Sequence, residues 1–362
     1  MIVSSSQQAD LRVFLTGAGG SASANVLDSL RRSESKYWVV GADVSNTRLH
    51  LSEALERCLV PMANETAYIN RINTALEHFN IDVLHVQPDP EVRKVSEQRE
   101  FVGAHLFLPS NEAIQLAGDK AKFADAMAIA GVQVPESVGF NSHDEVIEKV
   151  DDLLKRHSRV WIRARIGAGA RASLPVSNSS QAVSWIDWWS TEKGMSVDQF
   201  MASEMLPGDE FAFQSVWQNG QMIVGQARQR VEYLYGFLAP SGQSSTPAIA
   251  RTTSDPAVTG LAIQAIHALD KEPHGVYCVD IKTSENGSPC VTEINAGRFF
   301  TTSNFFAAAG ANMPDMVMRA AMGETLQVVG LSPIADDMYW IRNVDMGYTL
   351  VARNELDNWQ KF

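Results

Sequence analysis

Residues 11–16, LRVFLT, run straight into a loop with glycine at positions 17, 19 and 20, and then into SASANVLDSLRR. An apolar, β-prone run broken by glycines ahead of a helix-compatible stretch reads as strand, tight loop, helix. WVVGADV at 38–44 and IDVLHVQPD at 81–89 repeat the pattern of a buried parallel strand that ends in polar residues. HLFLPS at 105–110 reads as a fourth strand. Residues 1–115 are therefore expected to form an open, doubly wound Rossmann-like α/β domain. Its ligand crevice should lie at the strand C-termini, where Gly17, Asp43 and Gln87 fall.

The texture changes at Asn111. NEAIQLAGDKAKFADAMAIAGVQVP predicts two consecutive helices broken at Gly118 and closed by Gly131 and Pro135. Beyond them, RVWIRAR, QFMASEML, EFAFQSVW, MIVGQARQ, YCVDIK and CVTEIN are short β-like runs. NGQ at 219–221 and ENG at 285–287 read as hairpin turns. The second half is thus expected to be α+β. The turn-rich stretch 236–250, GFLAPSGQSSTPAIA, is expected to be a substrate-facing loop. Trp185, Trp188 and Trp189 have helical spacing and are expected to pack rather than bind.

Composition narrows the class of function. With 362 residues, more than one packed unit is expected. A net charge of -12 leaves no general basic surface for long nucleic acid. Cys58, Cys278 and Cys290 form no disulfide framework and no C-x-x-C. No run approaches the length of a membrane span, and the opening residues lack the basic-then-apolar order of a leader, so a cytoplasmic protein is expected.

Three segments could carry chemistry. The loop from Gly17 to Ala22 satisfies G-x-G-x-x-A after a strand, with Asp43 ending the next one, which is the sequence form of a dinucleotide site and equally of a simple anion site. A second loop holds Gly167 and Gly169 among Arg163, Arg165 and Arg171, a phosphate-gripping composition without P-loop order; its plain alternative is a surface turn with solvated arginines. The third is acidic. Asp280 and Glu293, with Asn295, lie on two strands joined by SENGSP, so a hairpin would set the carboxylates side by side. Such a pair suits a hard cation, Mg²⁺ or Mn²⁺, that shares nucleotide phosphates; its plain alternative is ion pairing with Lys282 and Arg298.

In this order the segments resemble the ATP-grasp superfamily, and most closely its branch of carbamoyl phosphate synthetase large chain-like proteins and carboxylate-amine ligases. The resemblance rests on Gly118-Asp119-Lys120, AGVQVP at 130–135, Arg163 with the glycine loop, the Ser203 to Leu206 hinge followed by Pro207-Gly208-Asp209-Glu210, and Glu293-Ile-Asn-Ala-Gly-Arg298. It implies a Rossmann-like domain at 1–115, a two-lobed ATP-grasp domain at 116–330 with its ATP lid at about 136–205, and an extension at 331–362 packing on the core. It further implies that ATP is held by Lys120, Arg163, Gly167, Gly169 and Arg171 at the phosphates, by Glu204, Met205 and Leu206 at the base and by Glu210 at the ribose. The metal would be held by Asp280, Glu293 and Asn295, with Arg298 as the catalytic arginine. Two departures stand out: Asp280 occupies a position where Glu is commoner, and Arg298 comes one residue late.

The activity so implied is ADP-forming ligation: a small carboxylate becomes an acyl phosphate and is captured by an amine, a thiol or another nucleophile. Arg228 and Arg230, two apart and so on one strand face, are candidates for the substrate carboxylate. His85 and Gln87 could touch a ligand or form a buried polar pair. A homodimer is possible. The competing readings are an NAD(P)-linked oxidoreductase or epimerase that uses the first glycine loop, and a non-catalytic nucleotide-binding protein on the same frame.

Overall fold

The computed structural model describes residues 9–167, 172–236, 246–342 and 359–362. Three sheets organise it. The first is all parallel and begins with β1 (Leu11–Thr16), β2 (Tyr37–Asp43), β3 (Glu56–Leu59) and β4 (Val83–His85), flanked by α1 (Ser21–Arg31), α2 (Tyr68–His78) and α3 (Asp89–Glu97). β2 is buried along its whole length, as a strand covered on both faces must be. The expected fourth strand at 105–110 is only an isolated bridge between Val83 and His105. After Leu106 the chain leaves the sheet for the prolines and Ser110 that start the next helix. β3, ERCL, escapes a hydrophobic reading because only Cys58 is buried.

The helices α4 (Asn111–Gly118) and α5 (Lys120–Ile129) match the sequence reading. Each has an acceptor at its N-cap: Ser110 takes the Ala113 N–H, and Asp119 takes those of Ala121 and Lys122. A small antiparallel lobe follows, with β5 (Ser137–Gly139), β6 (Val160–Ala164), β7 (Leu174–Val176) and β8 (Phe200–Glu204), covered by α6 (His143–Leu154) and α7 (Ser179–Lys193). Val160, Ile162 and Ala164 point into this lobe's core, which leaves Trp161 and Arg163 on the opposite face. Trp185 and Trp189 of α7 pack on this lobe, and Trp185 donates to the Ala172 carbonyl; Trp188, expected to pack with them, is exposed and stacks on Trp185 instead.

The third sheet holds β9 (Glu210–Gln218), β10 (Gln221–Tyr233), β11 (Pro247–Thr253), β12 (Gly275–Thr283), β13 (Pro289–Ala296), β14 (Gly330–Leu331) and β15 (Tyr339–Ile341), in the order β13-β12-β9-β10-β11-β15 with β14 beside β10. α8 (Pro256–Leu269), α9 (Ser303–Ala308) and α10 (Met313–Ala321) pack against it, α8 also against α4 and α5, and α9 and α10 also against α1. The 219–221 turn is a tight hairpin with Asn219 and Gly220 both at positive φ. The stretch 236–250 departs from the expected loop: 247–250 belong to β11, paired with β10, while 237–245 lie outside the described residues. At the C-terminus β16 (Gln360–Lys361) adds a parallel strand to β3, and Trp359 donates to the Asn46 carbonyl.

Candidate active site

The lobe and the third sheet meet over a cavity of about 560 Å³, within the range of small-molecule sites. Strand register builds its floor. Arg228, Ala212, Asp280 and Glu293 are successive partners across β10, β9, β12 and β13, and Arg230, Glu210 and Lys282 form the next rung but one. Partners in register share a face and lie about 5 Å apart, so charges scattered from Glu210 to Glu293 converge on one face of the sheet.

Asp280 and Glu293 do face each other. Burial and the neighbouring Glu293 push Asp280 up, against the pull of Arg230. Burial opposes the charge on Glu293 too, but Lys120, Arg163 and Arg298 more than offset it and hold that carboxylate low. Asp280 is paired with Arg230, and Glu293 with Lys120 at 3.2 Å. The expected alternative partners go elsewhere: Lys282 binds Glu210 at 2.7 Å, and Arg298 binds Asp89. Asn295 joins the group, its Nδ2 donating to Asp280 at 3.2 Å and its Oδ1 accepting from Arg298.

Lys120 is placed by its own cap. Asp119 accepts from the first-turn N–H groups and from Arg165 Nη2 at 2.8 Å, while the Lys120 N–H donates to the Arg165 carbonyl. The ammonium then reaches the Gly167 carbonyl at 2.6 Å. Arg165, grouped by sequence with the phosphate-gripping arginines, is thus a brace for the lysine. Arg163 Nη2 donates to the Thr292 carbonyl, and its Nε is buried without a partner. Gly169 and Arg171 lie outside the described residues.

The hinge Glu204, Met205 and Leu206 lines the cavity together with Pro135 and Trp161. The Glu204 carboxylate accepts the Glu136 N–H at 3.1 Å, and the N–H groups of Glu204 and Met205 go to the carbonyls of Glu136 and Arg159. Glu210 is held by Lys282 and by the Tyr233 hydroxyl. Arg228 does not line the cavity. It is 1% exposed, lies 5.3 Å from the Phe300 ring, and leaves Nε and Nη1 unpartnered; burial, then Arg230, lowers it to about 9. Tyr233, Trp161 and Asp89 line the cavity without having been singled out, and so does Lys282, named only as an ion-pair partner; for Asp89 the signal was its place just past the C-terminus of β4.

The first glycine loop is closed by its own chain. The Asp43 carboxylate accepts the N–H groups of Gly19 and Ser45, and a Cβ on Gly19 would come within 2.4 Å of the Arg48 carbonyl oxygen. The carboxylate that a dinucleotide ribose would need is already engaged there. Among the described residues, no helix is long and apolar enough to cross a membrane.

No protein-family model matches the sequence, and no curated protein matches it. Solved structures do. An L-amino acid ligase from Bacillus licheniformis is 12% identical with a TM-score of 0.65, over 88% of this chain and 76% of that one. N5-carboxyaminoimidazole synthetase from Staphylococcus aureus, complexed with ADP, is 15% identical with a TM-score of 0.65, over 88% and 79%. The biotin carboxylase domain dimer of Hydrogenobacter thermophilus 2-oxoglutarate carboxylase, with MgADP and bicarbonate, is 15% identical with a TM-score of 0.67, over 91% and 73%. At such identities the likeness is one of fold.

Proposed function

The chain has the ATP-grasp fold, and from that premise we propose that it is an ADP-forming ligase that uses MgATP to activate a small carboxylate for capture by an amine or another nucleophile. The observation that carries this reading is the convergence, in one cavity at the junction of two sheets, of an opposed carboxylate pair and five cationic side chains, Lys120, Arg163, Arg230, Lys282 and Arg298. Of the solved structures named above, one is a ligase, one a synthetase and one a biotin carboxylase domain, two of them with bound ADP or MgADP.

The residues fit such a ligand. Arg163 and Arg230 each keep a buried Nε without a partner, donors that the oxygens of a phosphate or of a substrate carboxylate would satisfy. Asp280, Glu293 and the Asn295 amide oxygen are hard oxygen donors suited to Mg²⁺, which usually borrows its remaining ligands from phosphates and water. When bound, MgATP supplies the γ-phosphoryl group and a cation that spreads its charge.

The chain's own groups do the rest. Lys120 and Arg163 bind phosphate oxygens, Glu210 faces the ribose, and Trp161 and the hinge enclose the base. With the N–H groups of Glu204 and Met205 already engaged, Leu206 N–H is the donor left to the base. Phosphoryl transfer depends mainly on placement and charge stabilisation. Arg298, held between Asp89 and Asn295, steadies the transferring phosphoryl and the acyl phosphate, while Arg230, with Arg228 behind it, draws in the substrate carboxylate. A carboxylate oxygen attacks the γ-phosphorus, ADP leaves, and the nucleophile then displaces phosphate at the acyl carbon.

Thermal melting tests the reading, because a ligand that binds only the native state raises its stability. MgATP should raise the melting temperature more than ATP without Mg²⁺, and NAD⁺ should not raise it. A shift with NAD⁺ alone would overturn the ligase reading in favour of an oxidoreductase.

A further inference from the structure

Arg298 and Phe299 follow β13 and lie in neither helix nor strand, so no backbone ladder fixes them. Both are held by the N-terminal unit where β4 leads into the start of α3. Gln87, 4% exposed, spans the backbone of Phe299: its Nε2 donates to the carbonyl at 2.6 Å and its Oε1 accepts the N–H at 3.3 Å. His85 lies 3.0 Å from the same Oε1. Because that oxygen can only accept, the hydrogen-bond network assigns the ring proton to His85 Nε2. The Gln87 N–H is anchored in turn on Thr16 Oγ1 at 3.3 Å. Two residues on, Asp89 takes Nε and Nη2 of Arg298, a two-point pairing that fixes the plane of the guanidinium.

We propose that Gln87 and Asp89 are positioning residues for Arg298, so that the N-terminal unit sets the guanidinium that serves phosphoryl transfer. The inference rests on the ligase reading and on the role given there to Arg298. Physically, Glu293 lies close enough to attract Arg298, and a guanidinium drawn onto the metal-binding carboxylates would be lost to the phosphoryl group. Asp89 supplies the competing anchor from the other unit. Gln87 fixes the backbone of the next residue and so limits how far the arginine can travel. A simple docking contact between units would involve the same atoms, but it would not act through Arg298.

A double-mutant cycle separates the two roles. Asp89→Asn keeps the shape and removes the charge; it is combined with Arg298→Ala, and Gln87→Met provides an apolar replacement of similar length. The readouts are kcat and the ATP KM of carboxylate-dependent ADP release, with the MgATP-induced melting shift confirming that each variant folds. Arg298→Ala is expected to lower kcat on the order of 100-fold, as loss of one charge-stabilising donor does. Asp89→Asn and Gln87→Met should each lower kcat on the order of tenfold while the ATP KM moves less than twofold. Adding Asp89→Asn to Arg298→Ala should cost nothing further. Multiplying losses in the double variant, or an effect confined to KM, would overturn the positioning role while leaving the ligase reading intact. If the wild-type protein releases no ADP with any carboxylate, the ligase reading falls, and the positioning role falls with it.

Discussion

Replacing Lys120 with alanine separates the ATP site from a merely structural ion-pair cluster. Its ammonium lies 2.6 Å from the Gly167 carbonyl and 3.2 Å from Glu293, and its helix start is braced by Asp119 and Arg165. A hydrogen bond to a charged group contributes about 1.5–3 kcal/mol, and each 1.4 kcal/mol is tenfold in affinity. Lys120→Ala should therefore raise the MgATP Kd by about 10- to 150-fold. Lys120→Arg should fall between, because a planar fork replaces a compact point charge. Adenosine, which has no phosphates, should bind both variants as it binds the wild type. Isothermal titration of MgATP and adenosine reads both quantities. An MgATP Kd within threefold of wild type would refute the assignment; an equal loss for adenosine would show that the whole cavity had been disturbed.

Three other outcomes follow from the same geometry. Glu293→Ala should lower Mg²⁺-dependent ADP release by about 100-fold or more, with a cooperative melt retained, as turnover and differential scanning calorimetry will report. Gly19→Ala forces a Cβ against the Arg48 carbonyl and should destabilise the chain by about 1–3 kcal/mol in urea titrations while leaving the MgATP Kd unchanged. Burial holds His85 at about 4 against an ordinary 6.5, so the unfolded chain takes up its proton first as the pH falls. That group's contribution is complete above about pH 6.5 and is lost as the pH drops towards 4, by up to about 3 kcal/mol. Glu91, raised by burial to about 7, acts in the opposite sense. The test is accordingly the difference between wild type and His85→Asn, which should narrow steadily between pH 7 and 4; a constant difference would refute it.

What could be read in the sequence was local. The Asn219-Gly220 turn between the β-like runs of β9 and β10 places that hairpin without further help, and the turn at 285–287 sets Asp280 against Glu293. The Asp119 cap next to Lys120 is likewise a short-range signal. The rest depends on distant partners. Nothing near Arg298 announces that its carboxylate is Asp89, 209 positions away, or that Gln87 grips the neighbouring peptide. β3 carries only one buried residue, and β16 pairs with it from the far end of the chain. β11 hides at the end of a turn-rich segment because its pairing with β10, not its composition, makes it a strand. The first glycine loop depends on distant partners in the same way: Asp43 takes the Gly19 N–H, and the Arg48 carbonyl crowds Gly19.

The decisive measurement follows an isotope. A carboxylate that stimulates MgATP-dependent ADP release is labelled with ¹⁸O in both oxygens, and the released phosphate is weighed by mass spectrometry. Attack of the carboxylate on the γ-phosphorus, followed by displacement at the acyl carbon, predicts one ¹⁸O in each phosphate formed. Phosphate without label, or ADP release indifferent to every carboxylate offered, would contradict acyl phosphate formation in this cavity.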